Sequence, residues 1–156
     1  MEKETIVQVA TRFRNAIEKA RDAGEFASTC FHRERMNQFP KDCCDDTADL
    51  FAHYLYLEYG IDSIRVDGSY YDNKLGCTYY HSWQEVEGLV IDLTGDQFEN
   101  DDAIPIKAKA VYVGKMDAFQ CQFIIQRRVH SCGIESLGSD SQNRMYALYQ
   151  KISKYI

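Results

Sequence analysis

The chain lacks the features that mark nucleic-acid-binding and membrane-spanning proteins. Its 156 residues carry a formal net charge of −6, and its only adjacent basic pair is Arg127-Arg128. An acidic surface repels phosphate backbones, so we expect no nucleic-acid partner. No apolar run approaches the ~20 residues that span a bilayer, so we expect no membrane association.

Export signals and paired metal ligands are also missing. Residues 1–20 contain no uninterrupted apolar stretch of the kind found in signal peptides. We therefore expect a cytoplasmic protein in reducing surroundings, where cysteines stay free. The spacing Cys77-x-x-x-His81 alone is a weak zinc signal and no C-x-x-C pair is present, so we expect no metal site. The six cysteines are Cys30, Cys43, Cys44, Cys77, Cys121 and Cys132.

The composition is that of one globular domain. The sequence is 45% hydrophobic and 13% aromatic with only 2 prolines, which is enough apolar material to bury a core. It shows no repeat, no low-complexity tract and no linker that would separate two domains. We therefore predict a single domain over 1–156.

Two helices are predicted before the first strands. Apolar side chains recur at helical spacing over 5–23, and Gly24 marks the end of that helix. A second helix is predicted over 43–59, with Asp42 as its N-cap and Gly60 at its C-terminal stop. His53 on this helix is expected to be partly exposed.

Beyond the second helix the apolar spacing changes to alternation, which indicates strands. Helices followed by a run of antiparallel strands favour an α+β fold, with a helix packed on the sheet, over a doubly wound parallel sheet. The predicted elements are strands over 78–86 and 89–94 around a Glu87-Gly88 turn, a short strand over 111–113, a longer strand over 119–129, and a closing helix over 141–155.

Cys44 is the candidate nucleophile. In the first turn of its helix it lies among unpaired backbone N–H groups at the positive end of the helix dipole, and both favour a thiolate. Cys44 shares a helical stripe with Ala48, whereas Cys43 is rotated about 100° away. Asp45 and Asp46 oppose ionisation of the sulfur, so a histidine is needed to favour the thiolate. The alternative is a small buried hydrophobic residue.

His81 and Asp92 are the candidates for the other two members of a triad. If Glu87-Gly88 is a two-residue hairpin turn, Val86 opposes Leu89. Asp92 is then a diagonal neighbour of His81 on one sheet face. A carboxylate there can fix the imidazole tautomer and aim its second nitrogen at a thiol. A bulge in the turn would move Asp92 to the opposite face. The alternatives are a half-buried polar histidine and an aspartate that caps a strand end.

Three motifs stand in a specific order and spacing. They are Cys44-Asp45-Asp46-Thr47-Ala48 at the start of a helix that ends at Gly60-Ile61, then His81-Ser82-Trp83-Gln84-Glu85-Val86 on a strand, then Asp92-Leu93-Thr94 on the next strand. Over about 39–100 this arrangement resembles the transglutaminase-like proteins of the papain-like superfamily, and it is similar to a small bacterial or phage-borne subgroup.

The resemblance implies a papain-like core with Cys44 as nucleophile, His81 as base and then acid, and Asp92 as the residue that orients the imidazole. It implies a cysteine-dependent hydrolase or acyl-transferase that acts on an amide, either a peptide bond or a glutamine side chain, through a thioester acyl-enzyme. The expected partner is a protein or peptide substrate, and no cofactor is required. A Trp or Gln often supplies a second oxyanion donor in the superfamily. No matching residue is identifiable here, and Gln38 and Gln97 stay open.

Two other functions stay open at this point, because the fold does not choose the reaction. A non-catalytic binding module would keep the fold, although no triad member is missing. A coenzyme A-dependent acyltransferase, as in the arylamine acetyltransferases, would use the same triad in a considerably longer chain.

Overall fold

A computed structural model describes residues 3–156, with side chains from residue 5 onward. Residues 1 and 2 of the predicted domain lie outside the described residues. The described residues form an α+β fold of four α-helices and a five-stranded antiparallel sheet. The elements are α1 (Lys3–Asp22), α2 (Cys44–Tyr59), β1 (Ser63–Asp72), β2 (Cys77–Val86), β3 (Leu89–Asp92), β4 (Tyr112–Gly114), α3 (Ala118–Cys121), β5 (Ile124–Ser131) and α4 (Ser139–Ser153), with short 3-10 turns at Arg35–Gln38, Gly95–Phe98 and Gly133–Ser136.

Helices α1 and α2 end where their glycines predict. Gly24 and Gly60 have φ values of 78° and 63°, a left-handed conformation that costs glycine little. The N–H of Gly60 donates to the carbonyl of Tyr56 at 3.0 Å and so satisfies one of the last free carbonyls of α2. The predicted stop at Gly60 is therefore confirmed. Among the described residues, no helix is long and apolar enough to cross a bilayer.

The sheet has the order β4-β3-β2-β1-β5. Its central hairpin turns at Glu87 and Gly88, whose φ values of 50° and 79° are those of a two-residue turn matched to strand twist. Val86 pairs with Leu89, so the predicted register is confirmed. The pairing of β3 with β2 ends at Ile91, and the last residue of β3 pairs with β4 instead.

Two local predictions are wrong at element starts. Asp42 has φ 56°, and the N-cap of α2 is Cys43, which makes no side-chain capping hydrogen bond. The predicted strand over 119–129 begins late, because the Asp117 carboxylate accepts a hydrogen bond from the N–H of Phe119 at 2.9 Å and starts α3. Strand β5 follows only from Ile124.

The expectation for His53 is also wrong. Its residue exposure is 2%, and its ring lies 5.5 Å from that of Tyr146 and 4.7 Å from that of Tyr149. Both tyrosines belong to α4, which packs over this side of α2 and covers the histidine. The position of His53 on its helix could not reveal this burial, because α4 is distant in sequence.

Two hydrophobic clusters form the interior. The first, called here the helical core, gathers the inner faces of α1, α2 and α4 with the ends of β2 and β3, and includes Cys43, Leu50 and Leu148. The second, called here the aromatic cluster, contains Trp83, Phe98, Phe119 and Phe123, together with Val66, Val90 and Ile104.

Candidate active site

Cys44 is the first residue of α2, and its side chain lines a cavity of about 520 Å³. Cys43, one residue earlier, is fully buried in the helical core, where burial raises the pKa of its thiol to about 12. The rotation of about 100° per helical residue therefore sends one sulfur into the core and the other toward the cavity. The sequence-based choice between the two cysteines agrees with this placement.

His81 and Asp92 form a hydrogen-bonded pair in the interior, with Nε2 of the imidazole 2.7 Å from Oδ2 of the carboxylate. Both residues have 0% exposure. The carboxylate also accepts hydrogen bonds from the Thr94 backbone N–H at 3.0 Å and from Nε2 of Gln120 at 3.1 Å. With three donors around it, Asp92 is held in one orientation and in turn holds the ring of His81.

The electrostatics of this pair favour an imidazolium beside a carboxylate. Burial alone would lower the pKa of His81, but the Asp92 charge, its hydrogen bond and a hydrogen bond with Cys44 together raise that pKa to about 10. Burial alone would raise the pKa of Asp92, yet His81 and the donors around the carboxylate hold that pKa below its ordinary value. The raised pKa of His81 and the lowered pKa of Asp92 both indicate an ion pair that is stabilised inside the protein.

The second nitrogen of the imidazole faces the cavity side. Nδ1 of His81 lies 3.1 Å from Nε2 of Gln97, and His81, Gln97 and Cys44 all line the same cavity. Of the two glutamines left open by the sequence, Gln97 therefore lies at the site, while Gln38 is outside the set of cavity-lining residues.

Aromatic rings surround the imidazole on its buried side. The ring centroids of Trp83, Phe98, Phe119 and Phe123 lie 5.7, 5.5, 5.5 and 5.4 Å from that of His81. These rings exclude water from the ion pair and so strengthen its electrostatic attraction. Trp83 is thus a packing residue of the aromatic cluster.

The two acidic residues that follow Cys44 are partly neutralised. Asp46 accepts from Nη2 of Arg144 at 2.7 Å and from Nη2 of Arg35 at 3.0 Å. Asp45 accepts from the same Arg35 nitrogen at 3.2 Å. These guanidinium groups reduce the opposition that two carboxylates would otherwise offer to a thiolate at Cys44.

The structure brings the three predicted residues together: Cys44 and His81 line the same cavity, and Asp92 is hydrogen-bonded to His81. Gln120, the side-chain donor to Asp92, was not found from the sequence. It falls in a segment predicted as a strand, and nothing in its local pattern links it to a residue 28 positions away.

Comparisons with known proteins identify no relative: no family model, no curated protein and no solved structure matches this chain.

Proposed function

We propose that this protein is a cysteine-dependent hydrolase or acyl-transferase that acts on an amide through a Cys44–His81–Asp92 triad on a transglutaminase-like, papain-like core. The observation that carries the proposal is the buried His81–Asp92 pair, joined at 2.7 Å, together with the placement of His81 and Cys44 in the wall of the same cavity. A histidine oriented by a carboxylate and adjacent to a thiol is the arrangement that activates a sulfur nucleophile.

The chemistry follows from these positions. The proton of the Cys44 thiol resides on Nδ1 of His81, so the two groups rest as a thiolate and an imidazolium, and the thiolate attacks the amide carbonyl carbon. Unpaired backbone N–H groups in the first turn of α2 are available to the oxyanion. The imidazolium then protonates the leaving nitrogen, which leaves a thioester on Cys44. Attack by water or by an amine releases the acyl group and restores the thiol.

Thiol reactivity tests the first half of the proposal. We expect iodoacetamide at pH 7 to modify Cys44 roughly tenfold faster than an ordinary exposed thiol, because an adjacent imidazolium favours the thiolate. The chain contains its own references, since Cys30, Cys77 and Cys121 are exposed and Cys43 is buried. Peptide mapping by mass spectrometry after timed quenching would report all five rates in one sample.

A turnover assay tests the second half. With peptide and glutamine-containing substrates, Cys44→Ala should reduce activity by about 10⁶-fold, as loss of a triad nucleophile does, while Cys43→Ala keeps it. Release of the acyl group to water or to an added amine distinguishes hydrolysis from transfer. A Cys44 that reacts like Cys30, together with activity that survives Cys44→Ala, would contradict the proposal and favour a non-catalytic binding module.

A further inference from the structure

Arg14 of α1 is a buried arginine, and most of its hydrogen bonds lead to one segment of the chain. Its residue exposure is 6%. The guanidinium forms a two-pronged pair with the Asp96 carboxylate, with both N···O distances 2.8 Å. It also donates to the carbonyls of Leu93 at 2.7 Å and Ala110 at 2.8 Å, and its Nε donates to Glu18 at 3.0 Å.

The segment held by Arg14 runs from Leu93 to Phe98 and carries two groups of the candidate site. The Thr94 N–H donates to Asp92, and the side chain of Gln97 contacts Nδ1 of His81 at 3.1 Å. Asp96 is the residue directly before Gln97, so the bidentate salt bridge between Arg14 and Asp96 fixes the backbone from which the Gln97 side chain projects.

The same segment is packed tightly against the carboxylate of the pair. A Cβ atom added at Gly95 would lie 3.2 Å from Oδ2 of Asp92 and 2.6 Å from Cβ of Ala108. A small displacement of this turn would therefore be transmitted directly to the Asp92 carboxylate, because the interface has no free space to absorb it.

Burying the charged guanidinium of Arg14 at this position costs free energy. Removing a guanidinium from water is costly, and a well-packed apolar side chain of similar volume often stabilises a protein equally well. The planar guanidinium of arginine fixes the orientation of its partners. It binds a carboxylate by two parallel hydrogen bonds, and here it also donates to two backbone carbonyls. Arg14 therefore suits a role in which geometry matters more than stability.

We propose that Arg14 is a positioning residue that holds the Leu93–Phe98 segment in place and thereby keeps Asp92 and Gln97 aligned with the imidazole of His81. This inference rests on the proposed function, because it concerns the alignment of the same triad. Arg14 itself touches neither the cavity nor the reacting atoms.

The test compares the pH–rate profile of Cys44 alkylation in the full chain and its variants. Arg14→Met should slow alkylation at pH 7 by at least about tenfold and move the profile to higher pH, because a displaced Asp92 no longer supports the imidazolium. Arg14→Lys should fall between, since lysine keeps the charge without the planar guanidinium. Asp96→Asn, which leaves the arginine in place, should move the profile in the same direction and covers the case in which Arg14→Met fails to fold.

Ile6→Ala is the matched control, because Ile6 is buried on the same helix about two turns away from Arg14. It should lower the melting temperature and leave the profile unchanged. Profiles of Arg14→Met, or of Asp96→Asn, that coincide with the wild type would overturn the inference while leaving the proposed function intact. A wild-type Cys44 that reacts no faster than Cys30 would instead overturn the proposed function and this inference with it.

Discussion

The helical core and the aromatic cluster both bury rings, but they enclose different chemistry. The helical core packs three helices through apolar side chains and the un-ionised thiol of Cys43, whose pKa is raised to about 12 by burial. The aromatic cluster packs four rings around His81, whose pKa is raised to about 10 by Asp92 despite burial. Burial alone therefore suppresses charge, whereas burial with a fixed counter-ion preserves it.

Cys43 and Cys44 lie next to each other in the chain but face different surroundings. One sulfur belongs to the helical core and the other opens on the cavity beside the ion pair. We infer that the helical core chiefly provides stability, while the aromatic cluster chiefly sets the electrostatics of the candidate site. Substitutions in each region separate these two contributions.

The largest effect is expected from Asp92→Asn compared with Leu148→Ala. An asparagine amide that donates to Nε2 of His81 would move the ring proton to Nδ1, where it can no longer take a proton from the thiol. We expect turnover to fall by about 10⁴-fold. Leu148→Ala in the helical core should cost about 2–5 kcal/mol of unfolding free energy and leave turnover per folded molecule unchanged.

Turnover assays and urea unfolding of both variants would provide the two measurements. If Leu148→Ala reduced turnover as much as Asp92→Asn, the proposed division between the regions would be wrong.

The second-largest effect is expected in the pH dependence of the unfolding free energy that the His81–Asp92 ion pair causes. Because the pKa of His81 rises from 6.5 to about 10 on folding, its stabilisation is complete below pH 6.5 and is lost as the pH rises through 10. Because the pKa of Asp92 is lowered from 3.8, its stabilisation is present above that pH and is lost as the pH falls through the lowered value.

Urea unfolding of the wild type and of His81→Gln, each measured under reducing conditions between pH 6 and pH 10, isolates the histidine contribution. The stability advantage of the wild type should shrink as the pH rises, while titrating groups that do not interact with His81 cancel in the difference. An advantage that stays constant over this range would show that the histidine is uncharged in the folded protein.

The smallest effect is expected from a single added methyl group beside the ion pair. Gly95→Ala should cost about 1–3 kcal/mol, because its Cβ would lie 2.6 Å from that of Ala108 and 3.2 Å from the Asp92 carboxylate. Gly138→Ala, next to α4, has no heavy atom within 4 Å of its added Cβ and should stay within about 0.5 kcal/mol of the wild type.

Thermal unfolding and Cys44 alkylation of the two variants would show whether the Gly95 contact matters to the site. Equal melting temperatures for both alanine variants would mean that the packing against Asp92 is looser than the structure shows.

Features governed by neighbours in the chain were predictable. Gly60 ends α2 because a left-handed residue is needed there, and the Glu87-Gly88 turn sets the pairing of Val86 with Leu89. Where a residue interacts with a distant segment, the prediction failed or was never made. His53, predicted to be partly exposed, is covered by α4. The strand predicted from Phe119 failed for a local reason, because the Asp117 side chain caps a short helix there.

The sequence by itself determined the α+β class, the two-residue hairpin and the three residues of the candidate triad, because each depends on short-range periodicity or on motif order. The tertiary structure alone decided what surrounds them: Gln120 on Asp92, the rings around His81, and Arg14 on Asp96 at a separation of 82 residues. Such contacts arise only when distant segments pack together, and no local pattern in the chain records which partners will meet.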